Sequence, residues 1–279
     1  MAEPNVISVS ESVSPSDEFA LFPFFSCGRP VPGAVWGMSL LRAGSMRFRW
    51  NERNDNRKKI IDFVSSAVGN SRKMALSPVE LVHSKKVVES SVAGDTEGIV
   101  ADGIVTKNPS VVPVVTVADC VPIFLYDPKT GAVGALHSGW KGTGIAAEGV
   151  SMMADKFGSD AGSLLAAIGP HIGGCCYNID RDRAGFFAGT FGKTCVSEKN
   201  GGFFLSLTEA NLAVLRSAGI RDENITVSSD CTCCSSFPDG SPVFGSFRRQ
   251  SAPLPPTVTA DERSRAMTVQ SALAFLFPF

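Results

Sequence analysis

Three side chains in this 279-residue chain have the chemistry of a reaction centre: His83, Cys120 and His137. Each ends or follows an apolar run, in Leu81-Val82-His83-Ser84, in Val117-Ala118-Asp119-Cys120, and in Ala135-Leu136-His137-Ser138-Gly139. Polar groups at the ends of buried strands can converge on one point while the strands themselves stay in the core. Two imidazoles and a thiolate suit zinc, and three protein ligands leave a fourth position open to water or substrate. The same donors could hold copper, so ligand type alone does not choose the metal. The wide separations match no short ligand motif. Two plainer readings therefore stand beside it: a buried Cys120 with two hydrogen-bonded histidines, and a Cys–His nucleophile pair in which His137 or His83 activates Cys120.

The elements that must position these residues follow from hydrophobic periodicity and turn signals. Strands are predicted at Phe19–Phe25, at Val79–Val82 ending on His83, around Ile99–Ala101, and at Val111–Val117. Val121–Tyr126 and Ala132–His137 form a hairpin across the turn Asp127-Pro128-Lys129-Thr130-Gly131. Further strands are expected at Leu164–Ile168, Phe203–Leu205, Ile225–Val227 and Val243–Phe247. Helices are expected at Asp55–Val68, stopped by Gly69-Asn70, then from about Gly144 to Phe157, and at Asp182–Ala188. Two more are read from Thr208 to Ala218, closed by Gly219, and at Glu262–Leu276, after a Pro-rich loop at Ser251–Pro256. Residues 1–18, rich in Ser, Pro and acidic groups, are read as a poorly ordered start, and 19–279 as one domain of α/β or α+β class.

Composition narrows the function classes. A net charge of −1, 44% hydrophobic residues and 19% charged residues describe a folded chain with a sizeable core. No dense basic block marks it for nucleic acid or a membrane surface. The longest apolar candidate, Ala272–Phe279, is far too short to span a bilayer and contains Pro278. The Met-Ala-Glu-Pro start lacks the pattern of a secretory signal, so a cytoplasmic setting is expected, as a monomer or small homo-oligomer. The eight cysteines are then expected to be thiols or metal ligands. Cys175, Cys176, Cys231, Cys233 and Cys234 read as a packed thiol cluster rather than a second metal site, because Cys-x-Cys-Cys is unlike the usual zinc knuckles. Cys27 and Cys195 read as ordinary thiols, and the 19 Phe residues as filling for the core or a subunit contact.

Six pieces of the sequence together resemble the YfiH family, also called the laccase-domain or polyphenol-oxidase family. They are Ala-Asp-Gly at 101–103, Ala-Asp-Cys-Val-Pro at 118–122, and His-Ser-Gly-Trp-Lys-Gly at 137–142. The others are Ile-Gly-Pro-His-Ile-Gly-Gly-Cys-Cys-Tyr at 168–177, Cys-Thr-Cys-Cys at 231–234, and Ser-Phe-Arg-Arg at 246–249. They fall in the family's order over roughly 35–279. The resemblance implies a single-domain layered sandwich of mixed β-sheet with flanking helices. It also implies zinc bound by two histidines and a cysteine, at positions matching His83, Cys120 and His137. The activity implied is phosphorolysis of adenosine, inosine, guanosine and methylthioadenosine, with hydrolytic deamination of adenosine. The partners implied are a purine nucleoside and inorganic phosphate, with no nucleic acid and no membrane. Departures from the family's pattern are Val82 for Gln, Ser84 for Gly, Lys141 for Arg, Asn178 for Glu and Gln250 for Asp. All three ligand positions are kept, so the changes bear on substrate preference more than on metal binding.

Phosphorolysis needs cations near the sugar to hold phosphate. The residues expected to do so are Lys141, Arg248 and Arg57, with Arg249 behind them; lysine fits phosphate less well because it cannot bind bidentately. Deamination needs an activated water, which zinc supplies by lowering the water pKa to about 7. Asp119 or Asp102 could shuttle the proton or orient a ligand histidine, and Asp119 could equally tie down a turn. Trp140 is a possible stacking face for a base, and His171 is read as a loop residue within reach of substrate. The competing functions are a copper-dependent polyphenol oxidase, a thiol hydrolase using Cys120 and a histidine, and a partner-binding module without catalysis. Three histidines are too few for a multicopper centre, which argues against the first of these.

Overall fold

Alternation along single strands decides the layering. Every residue of Val121–Asp127 is buried, but Val121, Ile123 and Leu125 face one apolar cluster while Phe124 and Tyr126 face another. A strand covered on both faces needs no polar face, so its sequence reads as a nearly continuous apolar run. The structure is a computed structural model that describes residues 3–69 and 72–277. Asn70, expected to help stop a helix, lies outside the described residues, as do Met1-Ala2 of the amino terminus and Pro278-Phe279 of the apolar tail.

In chain order the strands are β1 (Asn5–Ile7), β2 (Phe19–Ser26), β3 (Arg29–Ser39), β4 (Ala75–Pro78), β5 (Val87–Glu89), β6 (Gly103–Thr106), β7 (Val111–Val117) and β8 (Val121–Asp127). They continue as β9 (Ala132–Ser138), β10 (Leu165–Ile168), β11 (Asn178–Ile179), β12 (Val196–Lys199), β13 (Gly202–Leu205), β14 (Ile225–Ser228) and β15 (Gln270–Leu276). The helices are α1 (Lys58–Ala67), α2 (Ile145–Phe157), α3 (Arg181–Phe191), α4 (Leu207–Ser217), α5 (Phe247–Gln250) and α6 (Ala260–Ala266). A mixed seven-stranded sheet has the order β1-β14-β10-β8-β9-β6-β5, and a mixed five-stranded sheet the order β2-β3-β15-β7-β4. Trp36, Met38, Val115, Val117 and Ala272 of the smaller sheet pack on Phe124, Tyr126, Val133 and Leu165 of the larger. Helices α2 and α4 cover the far face of the larger sheet through Ile145, Val150, Met153, Leu207 and Leu215. Ile60 and Val64 of α1 cover the far face of the smaller one, against Val112, Val114, Leu273 and Phe275. The result is the expected mixed α/β sandwich with flanking helices.

Several elements differ from expectation. The start expected to be poorly ordered over 1–18 carries β1, which pairs in parallel with β14. Val9 is fully buried, and its N–H donates to the Asp230 carboxylate at 2.6 Å. The tail expected as one helix over Glu262–Leu276 divides into α6 and β15. The capping box of Thr259 and Glu262 starts α6, whereas Ala272–Leu276 pairs with β3 and Ala272–Leu273 also with β7. A continuous apolar run fits a buried helix or a central strand equally well, and tertiary pairing chose the strand. The strand expected at Val79–Val82 lies instead at β4, and that around Ile99–Ala101 at β6, with a lone bridge between Glu80 and Val100. The segment Val243–Phe247 is not a strand: Val243 and Phe244 are anchors in the core, and Ser246 caps α5 by accepting from the Arg249 N–H.

Candidate functional site

Sheet register brings the first two donors together. Pro122 of β8 lies opposite His137 of β9, and Val121 opposite Ser138. Cys120 therefore falls one residue beyond the paired part of the hairpin, beside the chain leaving β9. His83 arrives from the connection between β4 and β5. One ligating atom from each of the three residues lies within 4.8 Å of the others. The two imidazole rings sit 4.9 Å apart, nearly perpendicular at 80°. His137 is buried, Cys120 half-buried and His83 exposed. Gly139 closes the back: a Cβ there would come within 2.9 Å of His83 Cδ2 and 3.1 Å of Cys120 Sγ. His83 and Asp119 both hold left-handed backbone, with φ of 61° and 79°. Left-handed non-glycine residues are uncommon and cluster where surrounding structure over-determines a functional geometry.

Asp102, fully buried just before β6, organises this arrangement. One carboxylate oxygen faces His137 Nδ1 at 2.9 Å and accepts from the His83 N–H at 2.9 Å. The other accepts from the Ser84 N–H at 2.7 Å and the Ser84 hydroxyl at 2.6 Å. Burial raises its carboxyl pKa, but the bonds from His137 and Ser84 outweigh that and hold it at about 2. A carboxylate at Nδ1 leaves His137 Nε2 to face Cys120, the usual way a second residue fixes the tautomer of a metal-ligating histidine. Burial also raises the Cys120 thiol, and the facing His137 and His83 pull it down to about 6. Burial lowers the His137 imidazole, and the Cys120 thiolate and Asp102 raise it to about 9. Both shifts favour a thiolate on Cys120 beside an imidazolium on His137. Two nitrogens and a sulfur in this compass fit one borderline cation with a vacant position.

The three donors lie in the wall of a cavity of roughly 520 Å³. Its wall also carries Arg47, Arg49, Arg183 and Arg248, with Phe48, Trp140, Tyr177 and Phe247. Of the residues expected to hold phosphate, Arg248 lines the cavity, while Lys141 and Arg57 do not. Lys141 is exposed, with its ammonium 5.4 Å from the Trp140 ring centroid. Arg57 sits behind Phe48, 4.1 Å from its centroid, and donates to the Met46 carbonyl; burial lowers its pKa to about 10. Arg249 is tied to the carbonyls of Thr232, Cys233 and Phe244. The Asp119 carboxylate accepts from the Thr232 hydroxyl and the Arg248 N–H, each at 2.6 Å, so it ties two loops together. His171 is buried, with its ring nitrogens facing Gly169 O and Thr208 Oγ1; it backs the wall and does not line it.

Arg183, Arg47, Arg49 and Tyr177 went unrecognised in the sequence. Arg183 lies over the Trp140 ring at 4.2 Å, and Arg248 over Tyr177 at 5.6 Å. Burial pushes the Tyr177 phenol up, against the pull of Arg183. Arg47 is paired with Glu52 and Asp261, Arg49 with Glu80, and Arg183 more loosely with Asp180 at 3.6 Å, whereas the Arg248 guanidinium donates to the Asn178 carbonyl and has no acidic partner among the described residues. No local motif marks an arginine in the first turn of a helix as a cavity residue. Cys175, Cys176, Cys231 and Cys234 gather in a separate cluster, as expected, whereas Cys233 is outside it. Cys27 is an exposed thiol and Cys195 a buried one.

Residues 47–252 match the family described as "Multi-copper polyphenol oxidoreductase laccase". A Bacillus subtilis protein named purine nucleoside phosphorylase YlmD is 37% identical over 136 residues, covering 47% of this chain and 49% of that protein. A protein from an unknown prokaryotic organism, named adenosine deaminase RL5, is 35% identical over 143 residues, covering 50% of this chain and 54% of that protein. The chain thus spans about half the length of these curated relatives. The crystal structure of the Bacillus licheniformis hypothetical protein YfiH superimposes with a TM-score of 0.71 at 26% identity, covering 87% of this chain and 92% of that one.

Proposed function

This chain belongs to the multi-copper polyphenol oxidoreductase laccase family, and from that premise we propose that it is a zinc-dependent purine nucleoside phosphorylase that also deaminates adenosine. One arrangement carries the reading: two imidazoles and a thiol, from the β4–β5 connection, the β7–β8 connection and the end of β9, meet in the wall of a cavity that also holds guanidinium groups and aromatic faces. The names of the relatives support the substrate class. His83, Cys120 and His137 would hold the zinc, which supplies Lewis acidity at its open position when bound. Asp102 orients His137. Arg183 and Arg248 hold phosphate, and Phe48, Trp140, Tyr177 and Phe247 offer flat apolar faces to a purine. In phosphorolysis a phosphate oxygen bonds to the anomeric carbon as the glycosidic C–N bond breaks. The purine leaves with the electron pair and takes up a proton. The chain from β1 to β15 acts as one catalytic unit, wider than 19–279 because β1 belongs to the main sheet, and eight free cysteines suit a reducing, cytoplasmic setting.

The family's description points to several copper ions. Here His171 is committed to Gly169 and Thr208, so only two imidazoles are free to bind metal at the cavity, enough for one ion with a thiolate. The test is incubation of the metal-loaded protein with adenosine, with and without phosphate, followed by product identification. Adenine and ribose 1-phosphate are expected with phosphate, and inosine without it. Absence of all three products, or phosphate-independent release of adenine, overturns the reading.

A further inference from the structure

Four thiols outside the cavity form a second constellation that the proposed reaction does not use. Cys175 and Cys176 lie in the turn after Gly173-Gly174, and Cys231 and Cys234 in the turn that follows β14. Their sulfurs all lie within 4.8 Å of one another. The Cys175 and Cys234 sulfurs are 3.7 Å apart, against about 3.8 Å for the edge of a tetrahedron with Zn–S bonds of about 2.3 Å. We propose that Cys175, Cys176, Cys231 and Cys234 bind one thiophilic divalent cation, zinc foremost, as a closed four-sulfur site that clasps these two turns together.

Five features support it beyond proximity. The spacing that the fold selects is Cys231-x-x-Cys234, with Cys233 left out, and Cys-x-x-Cys is the ordinary half-site of structural zinc. The Gly173 N–H donates to Cys231 Sγ at 3.2 Å, a bond that steadies a thiolate ligand. A Cβ on Gly173 would meet Cys175 Sγ at 3.1 Å and Cys231 Cβ at 3.3 Å, so a side chain there would press on the sulfurs and the turns pack tightly over this glycine. Arg249 adds compensating charge by donating to the carbonyls of Thr232 and Cys233. Cys175 and Cys234 are exposed, which gives an ion a way in. The clasp reaches the cavity through the backbone. Ile172 donates to the Asp119 carbonyl, Thr232 to the Asp119 carboxylate and to the His171 carbonyl, and Tyr177 continues the first turn into the cavity wall.

The proposal does not depend on the catalytic reading, and its test reads metal rather than turnover. The full chain, purified with zinc and then dialysed, should carry two zinc ions per chain. Cys120→Ala should keep one, and X-ray absorption at its zinc edge should show four sulfur neighbours at about 2.3 Å. If Cys120→Ala does not fold, His137→Ala gives the same readout. Cys175→Ser/Cys234→Ser should lose one ion from the wild-type count. A zinc-free Cys120→Ala or His137→Ala protein, a shell of mixed nitrogen and sulfur, or a non-reduced mass showing these thiols joined as a disulfide each overturns the proposal.

Discussion

Two clusters of soft donors are tied to the same loop around Asp119, and they are built on opposite plans. The first draws His83 and Cys120 from two connections and His137 from the end of β9, mixes nitrogen with sulfur, and faces a cavity. The second draws four sulfurs from two tight turns. Both are closed on one side by a glycine where a Cβ would crowd the donors, Gly139 at 2.9 Å from His83 Cδ2 and Gly173 at 3.1 Å from Cys175 Sγ. Left-handed backbone at His83 and Asp119 belongs to the first alone; the non-glycine positions with positive φ among the described residues include no member of the thiol cluster. The contrast follows the division between open catalytic and closed structural metal sites. On these two proposals, donor number and surroundings, more than proximity, separate a centre that works on a substrate from one that holds a fold.

The sharpest way to break the comparison is to remove one sulfur from each cluster. Cys120→Ala should lower kcat/KM for adenosine phosphorolysis by more than about 100-fold, since a ligand must matter at least as much as the residues that orient it. Cys234→Ser should change kcat/KM less than tenfold and lower the melting temperature instead, by roughly 2–4 °C for each kcal/mol lost. Equal losses of activity in the two variants would erase the distinction.

A smaller effect is expected one shell out. Asp102→Asn replaces an acceptor oxygen with an amide that faces donors from His137, His83 or Ser84. Zinc affinity measured against a competing chelator should fall by about 10–100-fold, while the zinc count of the thiol cluster stays at one. The wild-type affinity should also carry a proton signature. The Cys120 thiol is depressed to about 6 and the His137 imidazole raised to about 9 in the metal-free protein. Between these values the His137 proton must leave as zinc binds, so affinity rises by at least about tenfold per pH unit. Below about 6 the Cys120 proton must leave too, and the slope steepens. A flat profile from pH 6 to 9 would show that the thiolate–imidazolium pair does not form.

Much of the frame around these sites is legible in the residues themselves. The hairpin of β8 and β9, which sets Cys120 against His137, follows from two apolar runs and a Pro-Lys-Thr-Gly turn. Helix α4, read from Thr208 to Ala218, spans Leu207–Ser217, although its cap is Ser206, whose hydroxyl accepts from the Glu209 N–H. What stayed hidden was decided at long range. Strand β15 looks helical until β3 and β7 accept it as a neighbour on either side. The Cys231-x-x-Cys234 half-site was masked by Cys233 between its ends, and only the approach of the Gly173–Cys176 turn separates the three. Arg183 gave no sign because its role comes from where α3 begins relative to Trp140.

The last comparison lies on one ring. Trp140 carries the Arg183 guanidinium at 4.2 Å and the Lys141 ammonium at 5.4 Å, yet only Arg183 lines the cavity. Arg183 is half-buried, and its planar group can grip two phosphate oxygens at once, whereas Lys141 is an exposed point charge. Losing a charged hydrogen bond of about 1.5–3 kcal/mol should raise the phosphate KM of Arg183→Ala by at least about tenfold, with a lesser change in kcat. Lys141→Ala should stay within about twofold on both parameters, because solvent and salt screen a charge held outside the site. Steady-state kinetics at varied phosphate separates the two. A larger effect at Lys141 than at Arg183 would mean that phosphate approaches over the turn rather than through the cavity, and that the guanidinium serves chiefly to hold Trp140.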